Sequence, residues 1–501
     1  MLGRRSSDSM EAQSQSKIDR KSVAGSLYLE RTKSELKEIE YADDYLEKEV
    51  LEESAHSINY RQCSWVKTSG LLLSEYIVIA IMSFPNSYSV LGIVPGLILT
   101  VFVAVTVLYT GLIILDYCAV HPHLTSVCDI GQNLFGGYRW VWYITALAFL
   151  LNNVLIQGLH VLTGAEYFNT ISDNKTICSV VFSVVTTIIC VLISLPRTFS
   201  ALSFLAYFSS ISMFVSVVLA MVFAGVQTHP DKFEKLQKPV KWNLWPEEGT
   251  TYVQGMSAFL NIVYTFVGQI TYPSFISQMK RPKDFRKALY AVTLIEVIIF
   301  ALAGSIVYVY VGNAYITAPA FGSLRGNYKK IAFSFALPTI LFAGALYGNV
   351  SSQFLFQRVF KKDSPHRNSH TLLGWFVWFI INLLLWVIAF VIGEVIPFFS
   401  DLLSLMSSLF DCWFGFVFWG VAYFRLRSLY YAQRGEVNLS LWQIFKRDSL
   451  FRKLEFLINA ILIGIGLYIL GPGLYSAVDL IVLSYQSNKY GSPFTCASSA
   501  I

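Results

Sequence analysis

Long apolar runs separated by short polar segments occupy most of this chain. Eleven runs are long enough to cross a hydrocarbon core of ~30 Å as helices. The predicted spans are 68–90, 94–115, 140–165, 177–195, 204–226, 252–277, 288–312, 331–358, 371–393, 397–424 and 455–485. The runs are continuously apolar and do not alternate in short segments, which argues against a membrane β-barrel. The pattern predicts an all-α polytopic membrane protein with about 11 transmembrane helices.

Polarity divides the chain into three segments. Residues 1–65 are predicted to form a hydrophilic cytoplasmic tail, 66–490 the transmembrane domain, and 491–501 a short extracellular or lumenal tail. No apolar run follows the first basic residues, so the tail lacks the pattern of a signal peptide. Within it, 31–53 predicts either an amphipathic helix or a solvated segment with partial helicity.

The positions of lysine and arginine predict the orientation of the chain. Only 14% of the residues are charged, and the net charge of +6 gives no indication of a nucleic-acid partner. Lys and Arg are denser in the loops after the sixth, eighth and tenth spans, which predicts a cytoplasmic N-terminus and a C-terminus outside. Asn174 begins a glycosylation sequon in a predicted outside loop. We expect a multi-pass protein of the plasma membrane rather than the vacuole.

Two of the predicted spans contain matched interruptions. In the sixth span Gly268 precedes Pro273, and in the first span Ala80 precedes Pro85 by the same interval. Proline removes an intrahelical hydrogen bond, so both helices are predicted to break here. The break residues are Ile79, Ala80, Ile81, Met82 and Ser83 in the first span, and Val267, Gly268, Gln269, Ile270 and Thr271 in the sixth.

Breaks in the first and sixth spans predict two inverted repeats of five helices. The repeats cover about 68–226 and 252–424, and an extra helix follows at 455–485. Because five is odd, the second repeat enters the membrane from the opposite side. Paired interruptions in two halves indicate the binding site of a transporter. The alternative is that Pro85 and Pro273 only kink their helices, as proline commonly does in membranes.

The breaks suggest what such a site binds. Irregular backbone at membrane depth persists only beside protein or a watery cavity. Interrupted helices offer N–H groups to the carboxylate of an amino acid and C=O groups to its ammonium group. Ile79, Ile81 and Met82 favour a neutral, fairly apolar substrate side chain. No Arg, Lys, Asp or Glu near either break is expected to pair with a charged one.

Polar side chains in the third and eighth spans are further candidates for substrate contact. Asn153, Gln157 and His160 are spaced to share one helical face. Asn349 and Ser352 lie in the eighth span. Polar residues inside a membrane usually face the bundle interior or a cavity. The alternative role for the residues of the third span is interhelical hydrogen bonding. For Asn349 and Ser352 the two options are to complete a cation site at the first break or to replace one.

Carboxylates within the spans are candidates for proton coupling. Glu75 is the first choice because it is nearest the first break, and its alternative role is a structural pair with an interior donor. His160 is a second candidate, with a purely hydrogen-bonding role as the alternative. Glu296 lies inside the seventh span. Glu166 and Glu394 lie near outer ends and are expected to be interfacial and solvated.

Motifs that follow both breaks carry a family resemblance. SFP at 83–85 and LGIVPG at 91–96 follow the first break, and MKRPKDF at 279–285 with KAL at 287–289 follows the other. With these motifs the chain resembles the amino acid/auxin permease family over about 65–485, and within it the fungal neutral amino acid permeases. The resemblance implies the leucine-transporter fold, a 5+5 inverted repeat and, usually, proton-coupled amino acid uptake. It also implies a glycine where this chain has Ala80.

Together these features predict a secondary active transporter of neutral amino acids, a proton symporter working by alternating access. Sodium coupling is less favoured, and the alternatives are a vacuolar exporter or an amino-acid-sensing receptor with little transport. The expected partners are a neutral amino acid, protons and the lipid bilayer. No ATP-binding motif, metal cluster or Ser–His arrangement is recognisable, so no enzyme, cofactor or metal is expected. Cys178 and Cys496 can pair only if both face outside, whereas membrane cysteines are by default small buried apolar residues.

Overall fold

The protein is built from helices. The computed structural model describes residues 61–172, 177–361, 364–396, 399–436, 439–486 and 494–496. In these residues the regular secondary structure is helical, and nine helices are long and apolar enough to cross a membrane. The predicted class of an all-α multi-pass membrane protein is confirmed. The predicted tail helix at 31–53 and the sequon at Asn174 fall outside the described residues.

The first half of the chain forms the following helices. They are α1 (Trp65–Tyr76), a 3₁₀ helix (Ile79–Ser83), α2 (Phe84–Leu91), α3 (Ile93–Val120), α4 (Val127–Leu134), α5 (Arg139–Ser172), α6 (Ser179–Ile193) and α7 (Phe199–Val226). The first predicted span thus corresponds to α1 and α2 with the 3₁₀ helix between them. The short helix α4 lies in a loop that the sequence did not predict to be helical.

The second half of the chain also contains interrupted helices. Its elements are α8 (Phe233–Leu236), α9 (Tyr252–Phe266), α10 (Tyr272–Ser277), a 3₁₀ helix (Pro282–Asp284), α11 (Phe285–Val311), a 3₁₀ helix (Ala320–Ser323), α12 (Gly326–Val359), α13 (Pro365–Asn368), α14 (Leu372–Val395), α15 (Phe399–Met406), a π-helical segment (Ser407–Val417), α16 (Phe418–Gln433), α17 (Leu441–Arg447), α18 (Leu450–Tyr468), a second π-helical segment (Ile469–Gly473) and α19 (Leu474–Gln486). We call Ser407–Val417 the π segment. It joins α15 to α16 in one long helix.

Two of the predicted spans are not among these nine long helices. The helix α6 is apolar but has only 15 residues. The sixth predicted span is divided into α9 and α10, of 15 and 6 residues. The total of eleven spans therefore remains a prediction.

The first break begins slightly earlier than the sequence predicted. The N–H of Ile77 still donates to the Leu73 carbonyl at 2.7 Å, but Val78 is extended, with φ −118° and ψ 177°. The chain then winds as a tight 3₁₀ helix over Ile79–Ser83. Pro85 lies in the first turn of α2, where its missing N–H is not needed. The interruption is therefore two non-helical residues, Ile77 and the extended Val78, followed by a 3₁₀ helix.

The second break falls where the sequence predicted it. The helix α9 ends at Phe266, and Val267 turns the chain away with φ −91° and ψ 98°. A turn follows, in which the N–H of Thr271 donates to the Gly268 carbonyl at 3.1 Å. The helix α10 then begins at Tyr272. Both breaks are thus short changes of direction at the middle of a span.

The two broken spans lie at the centre of the helical bundle. All residues of the first 3₁₀ helix are buried. Phe84 of α2, Phe266 of α9 and Phe300 of α11 form an aromatic cluster with ring centroids 4.9–6.2 Å apart. Such contacts add to the energy of apolar burial and fix the relative positions of the half-helices. The outer surfaces of α14 and α18 instead carry exposed large apolar side chains, as lipid-facing helices do.

One covalent cross-link joins distant parts of the sequence. A disulfide links Cys178, immediately before α6, to Cys496 near the C-terminus. The sequence permitted this pair but gave no spacing that favoured it. The other described cysteines are free and buried, namely Cys63, Cys118, Cys128, Cys190 and Cys412.

Candidate functional site

A small cavity lies between the two breaks. Its volume is about 20 Å³, which is room for about one water molecule. Its lining residues are Glu75, Tyr76, Val78, Asn152, Ile156, His160, Tyr264, Thr265, Val267, Ile270, Tyr347 and Asp411. They come from α1, the extended Val78 after it, α5, α9, the second break, α12 and the π segment. An amino acid is larger than this space.

Glu75 connects three elements across this cavity. Its side chain is 5% exposed, and its Oε1 accepts a hydrogen bond from the Tyr347 hydroxyl at 2.6 Å. The Thr271 Oγ1 lies 3.0 Å from each Glu75 oxygen and 2.8 Å from the Gly268 carbonyl. A threonine hydroxyl has one proton, so it donates to one of these acceptors at a time. The carboxyl group therefore joins α1, the second break and α12.

A pair of tyrosines holds the breaks together beside Glu75. The hydroxyls of Tyr76 and Tyr272 are hydrogen-bonded to each other. A Cβ atom placed on Gly268 would lie 2.5 Å from the Tyr76 oxygen and 2.8 Å from Cζ of that ring. Atoms do not approach this closely without a shift, so the tyrosine packs against the backbone of a residue that lacks a side chain. A larger residue at position 268 would force Tyr76 to move.

Other predicted break residues make structural contacts in this conformation. Gln269 donates through Nε2 to Thr110 Oγ1 of α3 at 3.0 Å, and Ser83 Oγ donates to the Ala80 carbonyl at 2.7 Å. The residues Ile79–Ser83 are buried without lining the cavity. Val267 does line it. A role for these residues in substrate binding remains a prediction.

The helix α5 presents a neighbouring face to the one the sequence predicted. Asn152, Ile156 and His160 line the cavity, at a spacing of four residues. Asn153 does not line it, and its Nδ2 donates to Ser351 of α12 at 3.0 Å. Gln157 also lies outside the cavity and donates to the Asn153 carbonyl. Of the three predicted residues, the structure brings only His160 to the cavity.

The helix α12 contributes a residue that the sequence analysis did not select. Tyr347 reaches Glu75, whereas Asn349 points toward α6 and donates to the carbonyls of Ser194, at 3.3 Å, and Pro196. Ser352 is fully buried, and its Oγ has no partner among the described residues. Neither Asn349 nor Ser352 lines the cavity. The position of Asn349 fits a role in interhelical hydrogen bonding.

Asp411 is the second residue that sequence reasoning missed. It lies in the π segment, is 5% exposed and lines the same cavity as Glu75. The sequence analysis considered only charged residues near the breaks in sequence, and Asp411 reaches the cavity from the tenth predicted span. A carboxylate inside an apolar span is itself a signal of function, and this signal was available in the sequence.

The remaining carboxylates are distributed around the site. Glu166 was expected to be solvated, but it is 6% exposed and its Oε2 has no partner among the described residues. It was misplaced because α5 extends to Ser172 and carries Glu166 within the bundle. Glu296 of α11 is also buried, and Glu394 is partly exposed. No group of three or more His, Cys, Asp or Glu arranged to hold a metal ion occurs in the described part of the chain.

Comparisons with known proteins agree with this architecture. Residues 61–446 match the family described as transmembrane amino acid transporter protein. The chain is 32% identical over 453 residues to an N amino acid transport system protein of Neurospora crassa, covering 90% of this chain and 92% of that protein. It is 27% identical over 455 residues to a transmembrane transporter of Gibberella moniliformis, covering 90% and 91%.

A solved structure shares the fold. The chain is similar to a Na⁺-coupled sialic acid symporter in its substrate-bound outward-open state, with a TM-score of 0.50 and 13% sequence identity. The similarity covers 89% of this chain and 98% of the symporter. The leucine-transporter-like arrangement with broken first and sixth spans is thereby confirmed. The family resemblance inferred from the sequence motifs is also confirmed, and the chain belongs to the transmembrane amino acid transporter family.

Proposed function

We propose that this protein carries neutral amino acids across the membrane together with protons, by alternating access of its two repeats. One observation carries the proposal of proton coupling. The Glu75 carboxyl group lies between the two breaks, and its recorded partners are the neutral hydroxyls of Thr271 and Tyr347. No lysine or arginine is among the residues that line the cavity. A carboxyl group in these surroundings is suited to gain and lose a proton during transport.

The hydroxyl partners suit both protonation states of Glu75. A hydroxyl group donates to a carboxylate and also accepts from a carboxylic acid. When Glu75 is charged, Thr271 and Tyr347 donate to it. When Glu75 is protonated, its O–H donates to Thr271 Oγ1, and Thr271 directs its own proton to the Gly268 carbonyl, 2.8 Å away. Protonation therefore changes the hydrogen bonding of the second break.

This exchange links the proton to the movement of the half-helices. The Gly268 carbonyl also accepts from the N–H of Thr271, so it belongs to the turn between α9 and α10. A second donor on this carbonyl stabilises the turn, and a charged Glu75 withdraws that donor. A charged and a neutral Glu75 thus favour different geometries of the break. Such a difference in free energy between two states is what couples a ligand to a conformational change.

Several features support a neutral substrate. The apolar side chains of Val78, Ile156, Val267 and Ile270 line the cavity. The relative from Neurospora crassa is named as an amino acid transport protein. Free N–H and C=O groups at interrupted helices bind the charged ends of an amino acid, so the side chain of the substrate is left to contact the apolar residues.

We further propose that the N-terminus is cytoplasmic and that the protein acts at the plasma membrane. The density of Lys and Arg after the sixth, eighth and tenth spans supports this orientation. The disulfide between Cys178 and Cys496 supports an outside position for both residues, because disulfides persist in oxidising compartments.

Glu75→Gln tests the proposal. Native protein in liposomes with an inward proton gradient should accumulate labelled neutral amino acids, by up to ~10-fold per pH unit for each proton carried. Glu75→Gln should still exchange internal for external substrate but accumulate less of it at a given pH gradient, because glutamine keeps the shape and carries no proton. The measurement is uptake at several external pH values, with a sodium gradient as a separate arm.

The matched control is Glu166→Gln, which removes an equally buried carboxyl group outside the cavity. It should accumulate substrate like the native protein. Native-like accumulation and pH dependence in Glu75→Gln would contradict the assigned role of Glu75. Accumulation driven by sodium alone would contradict proton coupling, and binding without accumulation in the native protein would indicate a receptor.

A further inference from the structure

We propose that Asp411 is a second proton-binding group, so that each transport cycle carries two protons with one amino acid. This inference rests on the proposed proton-coupled transport and extends it to a second carboxyl group that lines the cavity. Glu75 enters from the end of α1, whereas Asp411 enters from the π segment of the tenth predicted span. The two carboxyl groups line one cavity of about 20 Å³.

Asp411 lies in a π-helical part of the backbone that packs against the second break. A π-helix inserts extra backbone into a helical turn, and such insertions occur frequently at functional sites. Gly415, in the same segment, packs so closely on the second break that a Cβ there would lie 3.0 Å from both Val267 methyl carbons. The π segment therefore presses directly against residues that the transport cycle must move.

Among the described residues that face Asp411 none carries a fixed positive charge, and the Ser407 hydroxyl lies beside its carboxyl group. The Asp411 Oδ2 has no hydrogen-bond partner among the described residues, although the side chain is 5% exposed. None of the ion pairs between described residues includes a residue that lines the cavity. A buried, unpaired charge costs far more free energy than a buried neutral acid. Burial of Asp411 without a positively charged partner therefore makes it suited to bind a proton.

The groups that face Asp411 do not supply a fixed positive charge. They are Tyr264 of α9, Tyr347 of α12, Glu75 of α1 and His160 of α5, with Ser407 and Cys412 in the π segment itself. His160 is 2% exposed, and its Nδ1 has no partner among the described residues. Tyr347 donates to Glu75 and lines the cavity together with Asp411.

Each proton that is bound from outside during the proposed cycle is released inside. A proton from the external water binds the Asp411 carboxylate, and a second proton binds the Glu75 carboxylate. The cavity then closes around a neutral pair of acids and an uncharged amino acid. Opening to the cytoplasm lets water reach both acids, and each releases its proton there. One net positive charge crosses for each proton, so a cycle moves two charges.

Asp411→Asn tests this assignment by the ratio of charge to substrate. Native protein in liposomes should move two positive charges per labelled amino acid and reach a ~100-fold accumulation per pH unit. Asp411→Asn should move one charge per amino acid and reach only ~10-fold. The pH profile of uptake should lose one of its two ionisation steps, since two interacting acids titrate as a pair. Asp411→Glu should restore the ratio of the native protein.

The matched control is Asp401→Asn in the same long helix. Asp401 lies outside the cavity and accepts from Ser484 at 2.6 Å, a bond that asparagine can also accept. Its charge ratio should equal that of the native protein. If Asp411→Asn does not transport, infrared spectra test whether Asp411 binds a proton. The native minus variant difference spectrum should then show a carboxylic-acid C=O band that titrates.

The outcomes separate this inference from the proposed function. A native ratio of one that Asp411→Asn leaves unchanged overturns the inference and leaves proton-coupled transport intact. Absence of a titrating carboxylic-acid band in the difference spectrum also overturns it. A native protein that moves no protons overturns the proposed coupling itself. A fall from two charges to one, confined to Asp411→Asn, supports the assignment.

Discussion

Gly268→Ala tests the close approach of the two breaks. The added methyl group would lie 2.5 Å from the Tyr76 oxygen, and the tyrosine hydroxyl is held by its hydrogen bond to Tyr272. The phenol ring must therefore move and break this buried bond. We expect a less stable protein in which this packing of the breaks is disfavoured, with slower uptake of substrate.

The expected loss in the free energy of unfolding has two contributions. Inserting a methyl group into a packed core costs ~1–3 kcal/mol, and leaving a buried hydroxyl unpaired costs a further ~1–3 kcal/mol. The free energy of unfolding should therefore fall by about 2–6 kcal/mol. For a chain of 501 residues, per-residue entropies of unfolding convert this to a fall of about 1 °C in Tm per kcal/mol.

The assay is thermal unfolding in detergent combined with uptake in liposomes. Gly255→Ala is the matched control, because it lies in α9 and nothing lies within 4 Å of its added Cβ. It should retain or slightly increase the native Tm. Tyr76→Phe removes the oxygen that meets the methyl group, so Gly268→Ala should cost less in that background, by about 1–3 kcal/mol.

Additive effects of Gly268→Ala and Tyr76→Phe on the free energy of unfolding would refute this explanation. If Gly268→Ala has the same cost with Tyr76 and with phenylalanine at that position, within about 0.5 kcal/mol, then the clash with this hydroxyl is not its cause. A variant with native Tm and native uptake would show that the breaks do not pack as described.

Two other substitutions test neighbouring contacts. Thr271→Val keeps the shape but removes the hydroxyl that joins Glu75 to the second break, so proton-driven uptake should fall by ~10-fold or more, while Thr271→Ser should retain it. Equal uptake by both variants would contradict the proposed hydrogen-bond exchange. Ala80→Gly enlarges the fully buried first break and should change the uptake of large relative to small neutral amino acids by ~10-fold, as expected for one methyl group. An unchanged ratio in competition uptake would show that this break does not contact the substrate.

The positions of the breaks were predictable because their cause is local. Pro85 and Pro273 lack an N–H, and proline is well accommodated in the first turn of a helix, so a new half-helix was expected to begin near each of them. The structure shows the second break at the predicted residues and begins the first at Ile77 and Val78. The small displacement arises because the 3₁₀ helix restores hydrogen bonding over the residues that were predicted to be irregular.

The face of α5 that meets the cavity was not predictable in the same way. Periodicity indicates which residues share a face, but a helix buried on most sides has no clear apolar stripe to orient it. Most residues of α5 between Asn152 and Thr170 are themselves buried. Asn153 therefore faces α12, and Asn152 takes the position on the cavity.

From the sequence alone, local chemistry determined the membrane class, the matched breaks, the family and Glu75 as a candidate. Hydrophobic length and proline act within a few residues, so they can be recognised without knowing the fold. The meeting of Glu75 with Tyr347 and Asp411, and the contact of Tyr76 with Gly268, were decided only by the tertiary structure. These residues come from separate helices, and packing of the whole bundle determines which of them share a cavity.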